Sequence, residues 1–217
     1  MALASFIEHS CLSPTTTVAD IERVCNEAMQ YQFAGVCIPP MFVKKAKALL
    51  AGSSVKVATV TGFPFGYSAI EAKLAETVLA IVDGADEINM MINLVALKNS
   101  DWQYLAKEIN MVLTVIRKPE KKIKVIIEAA LLTNEEIIAC CDIYGAAAVD
   151  FIQASSGYTE KQITLETFKL IRLHLSNAIQ LKSGDELDAA SINEWIELGA
   201  DRIVCKDPVH ALKAENV

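Results

Sequence analysis

Short apolar, β-rich runs alternate along the whole chain with longer stretches of helical spacing. The runs are Phe6–Leu12, Ala34–Ile38, Val55–Val60, Glu87–Ile92, Ile123–Ala129, Val149–Ala154, Ala178–Lys182 and Arg202–Cys205. They begin about 20 to 40 residues apart, the span of one strand, one helix and two short loops. Between them, Thr17–Tyr31 opens on Thr17-Val18-Ala19-Asp20 and places Val18, Ile21, Val24, Cys25 and Ala28 on one face. Ser68–Val82 does the same with Ile70, Leu74, Val78 and Ile81. Both spacings predict amphipathic helices. Eight such units predict an α/β fold, a single (β/α)8 TIM barrel over residues 1–217 with no linker inside it. Three strands follow a similar helix-to-strand junction: Gly84-Ala85-Asp86, Gly145-Ala146-Ala147-Ala148-Val149-Asp150 and Gly199-Ala200-Asp201. Glycine there is expected to supply the left-handed helix cap. An open doubly wound sheet would call for a Gly-rich phosphate fingerprint after the first strand, and the sequence has none.

Composition narrows the function classes. The chain has 217 residues, 53% hydrophobic and only 22% charged, with a mean hydropathy of +0.32. That excludes a disordered or fibrous chain. Net charge is −7, from 27 acidic and 20 basic residues, with no Lys/Arg block. Nucleic acid and anionic membrane are therefore poor partners. No uncharged apolar run approaches the ~20 residues of a membrane helix. The opening Met1–Ser10 lacks the basic and long apolar parts of a secretion signal, so the expected location is cytoplasmic. Six cysteines, at 11, 25, 37, 140, 141 and 205, follow no zinc spacing and sit among apolar neighbours. They read as free thiols, with neither metal nor disulfide.

A parallel barrel carries its chemistry at the C-terminal ends of its strands. The ionisable residues at those ends are Glu8, His9, Glu128, Lys182, Asp185, Lys206 and Asp207.

At the same positions the sequence resembles the deoxyribose-phosphate aldolase family. The resemblance is carried by residues 7–12 (Ile-Glu-His-Ser-Cys-Leu), 33–38 (Phe-Ala-Gly-Val-Cys-Ile) and above all 55–66, ending Thr61-Gly62-Phe63-Pro64-Phe65-Gly66. It continues through 84–93, Lys124–Glu128 with Leu131-Leu132-Thr133, and Asp150–Tyr158. It implies an eight-stranded α/β barrel. It also implies a role in deoxyribonucleotide catabolism: the reversible joining of acetaldehyde and glyceraldehyde 3-phosphate into 2-deoxyribose 5-phosphate. No metal or other cofactor takes part. A neutral lysine forms a Schiff base, a second lysine lowers its pKa, and a carboxylate relays the proton.

Carried over residue by residue, the resemblance breaks at the chemistry. Gln153 stands where the family has its Schiff-base lysine, and an amide forms no imine. Asn89 stands where the family has its relay aspartate. These two changes remove one positive and one negative charge together, and an Asn89–Gln153 hydrogen bond is expected. The second lysine persists as Lys182, and Glu8 replaces the aspartate of the family's opening motif. In the family's phosphate cradle, Gly184-Asp185-Glu186-Leu187 replaces Gly-Gly-(Ile/Val)-Arg, and Lys206-Asp207-Pro208 replaces a small Ser-rich turn. Asp185 and Asp207 would repel a phosphate dianion, which Lys206 offsets only in part.

The leading reading is a pseudoenzyme or repurposed member. Its ligand would be small, carbonyl-bearing or sugar-like, and uncharged or cationic. Cys37, Glu128, Ser155, Gly184 and Lys206 join Glu8 in the pocket wall. Lys182, with no neighbouring lysine evident, is expected to be a charged group paired with Glu8, Glu128 or Asp185. Glu128 reads equally as a pocket carboxylate and as a structural acceptor. A second reading keeps an active aldolase or carbonyl lyase that uses Lys182 or Lys206. A third is a structural or regulatory barrel that acts through partner contacts. The family often forms dimers, and the apolar fraction permits a homodimer. His9 flanks the pocket strand and is not expected to act as an acid or base, Trp102 and Trp195 read as packing residues, and Cys11, Cys37 and Cys205 as small hydrophobes on adjoining strands.

Overall fold

The computed structural model describes residues 3–205 and 207–215. Its elements run β1 (Glu8–Ser10), α1 (Val18–Tyr31), β2 (Gly35–Ile38), α2 (Val43–Leu49), β3 (Lys56–Thr61), α3 (Ile70–Val82), β4 (Glu87–Met91), α4 (Leu94–Lys98) and α5 (Trp102–Arg117). Then come β5 (Lys122–Ile126), α6 (Asn134–Ala146), β6 (Phe151–Gln153), α7 (Leu165–His174), β7 (Gln180–Leu187), α8 (Ile192–Glu197), β8 (Arg202–Cys205) and α9 (Pro208–Glu215). Each strand pairs in parallel with the next, giving one sheet in the order β1 to β8. A parallel bridge between Ile7 and Ile203 brings the two ends together. The result is an α/β sheet curled in the manner of a TIM barrel. It departs from a regular strand–helix alternation where two helices, α4 and α5, follow β4.

Period-2 alternation sorts the strand side chains into two faces. Val36, Ile38, Val57, Ile88, Met90, Ile123, Val125, Ile152, Leu181 and Ile203 face outward and pack against the helices in one continuous apolar layer. Cys37, Ala58 and Val60 form a separate apolar patch, packed with Leu12 and Phe63. The helices start where the sequence supplies caps. Thr17 and Asp20 close a capping box on α1, and Thr133 with Glu136 closes one on α6. Each box satisfies backbone donors that the first helical turn leaves open.

The repeated junction proves to be a strand-tethering device. Asp86 accepts from the Val57 backbone N–H at 3.0 Å, Asp150 from Ile123 at 2.9 Å, and Asp201 from Leu181 at 2.9 Å. Each aspartate thus ties its own strand to the one before it. Gly84 and Gly199 take left-handed backbone ahead of these aspartates, at φ +106° and +95°. The middle junction differs. Gly145 lies inside α6, and Ala148 takes the left-handed position at φ 51°. Counting back from the aspartate rather than forward from the glycine aligns all three. Gly145 is displaced because α6 runs to Ala146 before the chain turns.

An alanine in left-handed backbone is strained by about 1 kcal/mol relative to glycine. Ala148 is exposed, so its methyl contributes little packing. Ala148→Gly is therefore expected to stabilise the protein by about 0.5–1 kcal/mol, raising the thermal midpoint by roughly 2 °C. Calorimetry of parent and variant checks the sign.

Candidate active site

The inward positions of five strands, β1, β4, β5, β7 and β8, bring a buried ionic network to the centre of the barrel. Registers set the neighbours: Asn89 lies beside Lys124, Gln153 beside Lys182, and Lys182 beside Arg202. Glu8 of β1 is the hub. One carboxylate oxygen holds the Lys182 ammonium and the other the Lys124 ammonium, with Arg202 Nη1 at 3.3 Å from the second. Glu87 holds Lys124 as well and lies 3.4 Å from Arg202. The ring of Phe151 lies 5.5 Å from both the Lys124 nitrogen and the Arg202 guanidinium carbon, within cation–π range. Glu8, Lys124 and Lys182 are essentially inaccessible to water.

Three cations face two carboxylates here, so the fully ionised network carries one excess positive charge. Burial raises the cost of that excess. It pushes the Lys182 amine below its ordinary pKa; Glu8 opposes the shift and Lys124 adds to it. Lys124 moves the other way, because Glu8 and Glu87 outweigh its burial. Glu8 stays well below the usual carboxylate range, its own burial overcome by Lys124, Lys182 and Arg202. Burial, then Glu8, pushes the Cys37 thiol up to about 12. Lys182 thus does have a neighbouring lysine, contrary to the expectation from sequence. Deprotonating it would leave Lys124 and Arg202 balanced against Glu8 and Glu87.

Asn89 and Gln153 do not bond to each other. Asn89 Nδ2 donates to Glu8 Oε1 and to Cys37 Sγ, both at 3.3 Å. Gln153 Nε2 donates to the Ser155 carbonyl at 2.7 Å. Both amide oxygens are buried without a hydrogen-bond partner. The reason is that Glu8 is the stronger acceptor for Asn89, while the turn after β6 offers Gln153 a nearer carbonyl.

Above this network, at the C-terminal ends of β1, β6, β7 and β8, lies a cleft of about 360 Å³. Ser10, Ser156, Tyr158, Gly184 and Glu186 are among its walls. Gln153 and Lys182 lie beneath it rather than in its lining. Gly184 belongs to β7 itself, at φ +93°, beside an irregularity in the β7–β8 register, and not to a loop after it. A Cβ there would lie 1.9 Å from the Ser155 carbonyl oxygen. The carboxylate in the cleft wall is Glu186. Asp207 is exposed and caps the backbone of His210. Lys206 and the Asp185 side chain lie outside the described residues.

Glu128 proves to be a loop organiser. It is fully buried, takes left-handed backbone at φ 52°, and accepts from Ser155 Oγ at 3.0 Å, the Ser156 N–H at 3.1 Å and Thr159 Oγ1 at 3.3 Å. Tyr158 of that loop donates to the Leu12 carbonyl and meets Phe63 edge-on at 4.9 Å. His9 bonds Glu27 at 2.8 Å, and burial lowers its pKa despite that carboxylate. All six cysteines are free. The described residues bring together no group of His, Cys, Asp or Glu able to hold a metal ion, and no helix among them is long and apolar enough to cross a membrane.

Lys124, Glu87 and Arg202 escape a search confined to strand ends. The signal was there in Ile123-Lys124-Val125: a lysine flanked by apolar residues in a strand must face the opposite side from both.

Comparison with known proteins places this geometry. The DeoC/LacD family aldolase model matches residues 4–174. The chain belongs to this family. It is 40% identical over 205 residues to the deoxyribose-phosphate aldolase of Thermoanaerobacter sp. (strain X514), covering 94% of this chain and 92% of that one. It is 42% identical over 202 residues to that of Clostridium perfringens, covering 93% and 90%. Among solved structures, the aldolase QR15 superposes with a TM-score of 0.91 at 30% identity, covering 99% of this chain and 96% of that one. The tetrameric deoxyribose phosphate aldolase of Aeropyrum pernix gives 0.90 at 25%, covering 99% and 91%.

Glu8→Gln would leave Lys124 with Glu87 alone and Lys182 with no carboxylate. The expected cost is about 3–5 kcal/mol at neutral pH, the usual penalty for stranding a buried charge. The Glu8 carboxyl is depressed in the fold, so its contribution is full above the unfolded carboxylate pKa and fades as pH falls through the folded one. The parent's advantage over the variant should therefore shrink in acid, as urea denaturation at several pH values would read.

Proposed function

We propose that this member of the aldolase family has lost imine chemistry at β6 and binds a small sugar-like or amine-bearing ligand, one rich in hydrogen-bond donors. Gln153 occupies the position of the family's Schiff-base lysine, and Asn89 that of its relay aspartate. The observation that carries the reading is the pair of buried, unpartnered amide oxygens on these two residues. A buried acceptor left open costs about 1–3 kcal/mol, and a ligand hydroxyl or ammonium would relieve it. Glu186 adds a third acceptor in the cleft above, and its charge disfavours a phosphate dianion.

A second reading rests on Lys182. Its lowered pKa and its place beside Gln153 on the neighbouring strand reproduce, one strand over, the chemistry of a neutral lysine tuned by another lysine. In that reading Lys182 forms the imine with the carbonyl substrate, water leaves, and Lys124 takes the tuning role.

Borohydride trapping with acetaldehyde separates the two. The parent is expected to give no adduct by intact mass, and Gln153→Lys is expected to gain one at position 153. A stoichiometric adduct on Lys182 of the parent would overturn the first reading and establish the second.

A further inference from the structure

The N-terminal mouth of the barrel, at the opposite ends of the strands from the cleft, opens into a second cavity of about 400 Å³. Residues that begin four strands reach it: Lys56 of β3, Glu87 of β4, Lys122 of β5 and Arg202 of β8. Lys121, Asp86 and Glu120 complete its charged lining.

The acidic groups here are mostly committed. Asp86 is held by Lys47 at 2.7 Å, by Lys121 at 3.5 Å and by the Val57 N–H. Glu87 is held by Lys124 and Arg202. Two of the cations are not. Lys56 and Lys122 make no ion pair among the described residues, and Lys122 sits only over the Phe151 ring, at 5.8 Å. Most telling is Arg202. Its side chain is 11% exposed, its Nη1 makes only the two long contacts to Glu8 and Glu87, and its Nε–H is buried with no partner. A guanidinium donor of this kind is matched by an oxyanion, which accepts from Arg and from flanking ammonium groups together. Glu120, exposed and without an ion pair among the described residues, is the one uncommitted carboxylate of this lining.

We propose that this mouth is a binding site for a small multivalent oxyanion of phosphate size, held by Lys56 and Lys122 with the Arg202 guanidinium behind them. It does not depend on the reading of the cleft, and it lies at the other end of the barrel. Arg202 also reaches Glu8, the carboxylate that holds Lys182, so a bound anion would share one side chain with the central network.

Titration with inorganic phosphate at fixed ionic strength, read by calorimetry, tests it. The parent should show one saturable site. The Lys56→Gln, Lys122→Gln double variant should weaken it at least tenfold, and Glu120→Gln should tighten it severalfold. These three residues are exposed, and an unchanged thermal midpoint without phosphate confirms that the variants fold. Absence of saturable binding, or an affinity unchanged in the double variant, would overturn the proposal; the latter would place the anion elsewhere, including the cleft.

Discussion

One carboxylate organises the inside of this barrel. Glu8 is fully buried and shared by Lys124, Lys182 and Arg202. Burying a charge is costly unless it is paired and hydrogen-bonded. Here each charged group is tolerated only because the others are present. Strands β1, β5, β7 and β8 are joined through a side chain as well as through their ladders. The network also fixes where the odd charge falls. Lys124 has two carboxylates and is held charged; Lys182 has one, and a cation opposite it, and is eased towards neutrality. The difference arises from the count of neighbours, not from any special property of either lysine.

Much of the fold was legible in the sequence. The alternation of short apolar runs with helical stretches identified the eight strands, because period and length are local properties. Two boundaries were not local. β7 runs on to Leu187 through Gly184, since parallel pairing with β8 resumes beyond the irregularity, at Glu186 and Leu187. A Gly-Asp-Glu segment on its own reads as a loop. Gly145 looked like a cap because it is a glycine near a helix end, whereas the strand-tethering aspartate determines the register of all three junctions.

The site was legible in part, and for a physical reason. Gln153, Asn89, Glu8 and Lys182 were visible as departures from or matches to a known family. Their partnerships were not, because they depend on which strands face each other across the interior. An amide pair that balances neatly on paper loses to stronger acceptors in space: Glu8 takes the Asn89 amide, and the Ser155 carbonyl takes that of Gln153. Lys124 was missed because its ammonium lies within the strand rather than at its end. The barrel interior is a place for chemistry along its length, not only at its rim.

The two amides at β4 and β6, Asn89 and Gln153, also give the interior a consistent polarity. Each amide nitrogen donates inside the protein, and each amide oxygen is buried without a partner. With Glu186 in the cleft wall, the C-terminal end presents acceptors. At the other mouth the exposed uncommitted groups are two ammoniums, Lys56 and Lys122, set against one carboxylate, Glu120. Glu8 and Arg202 lie between these ends and touch each other. The barrel therefore has a chemical direction along its axis, from buried amide oxygens and Glu186 towards one end to uncommitted ammonium groups at the other. A single ion pair in the middle is common to both.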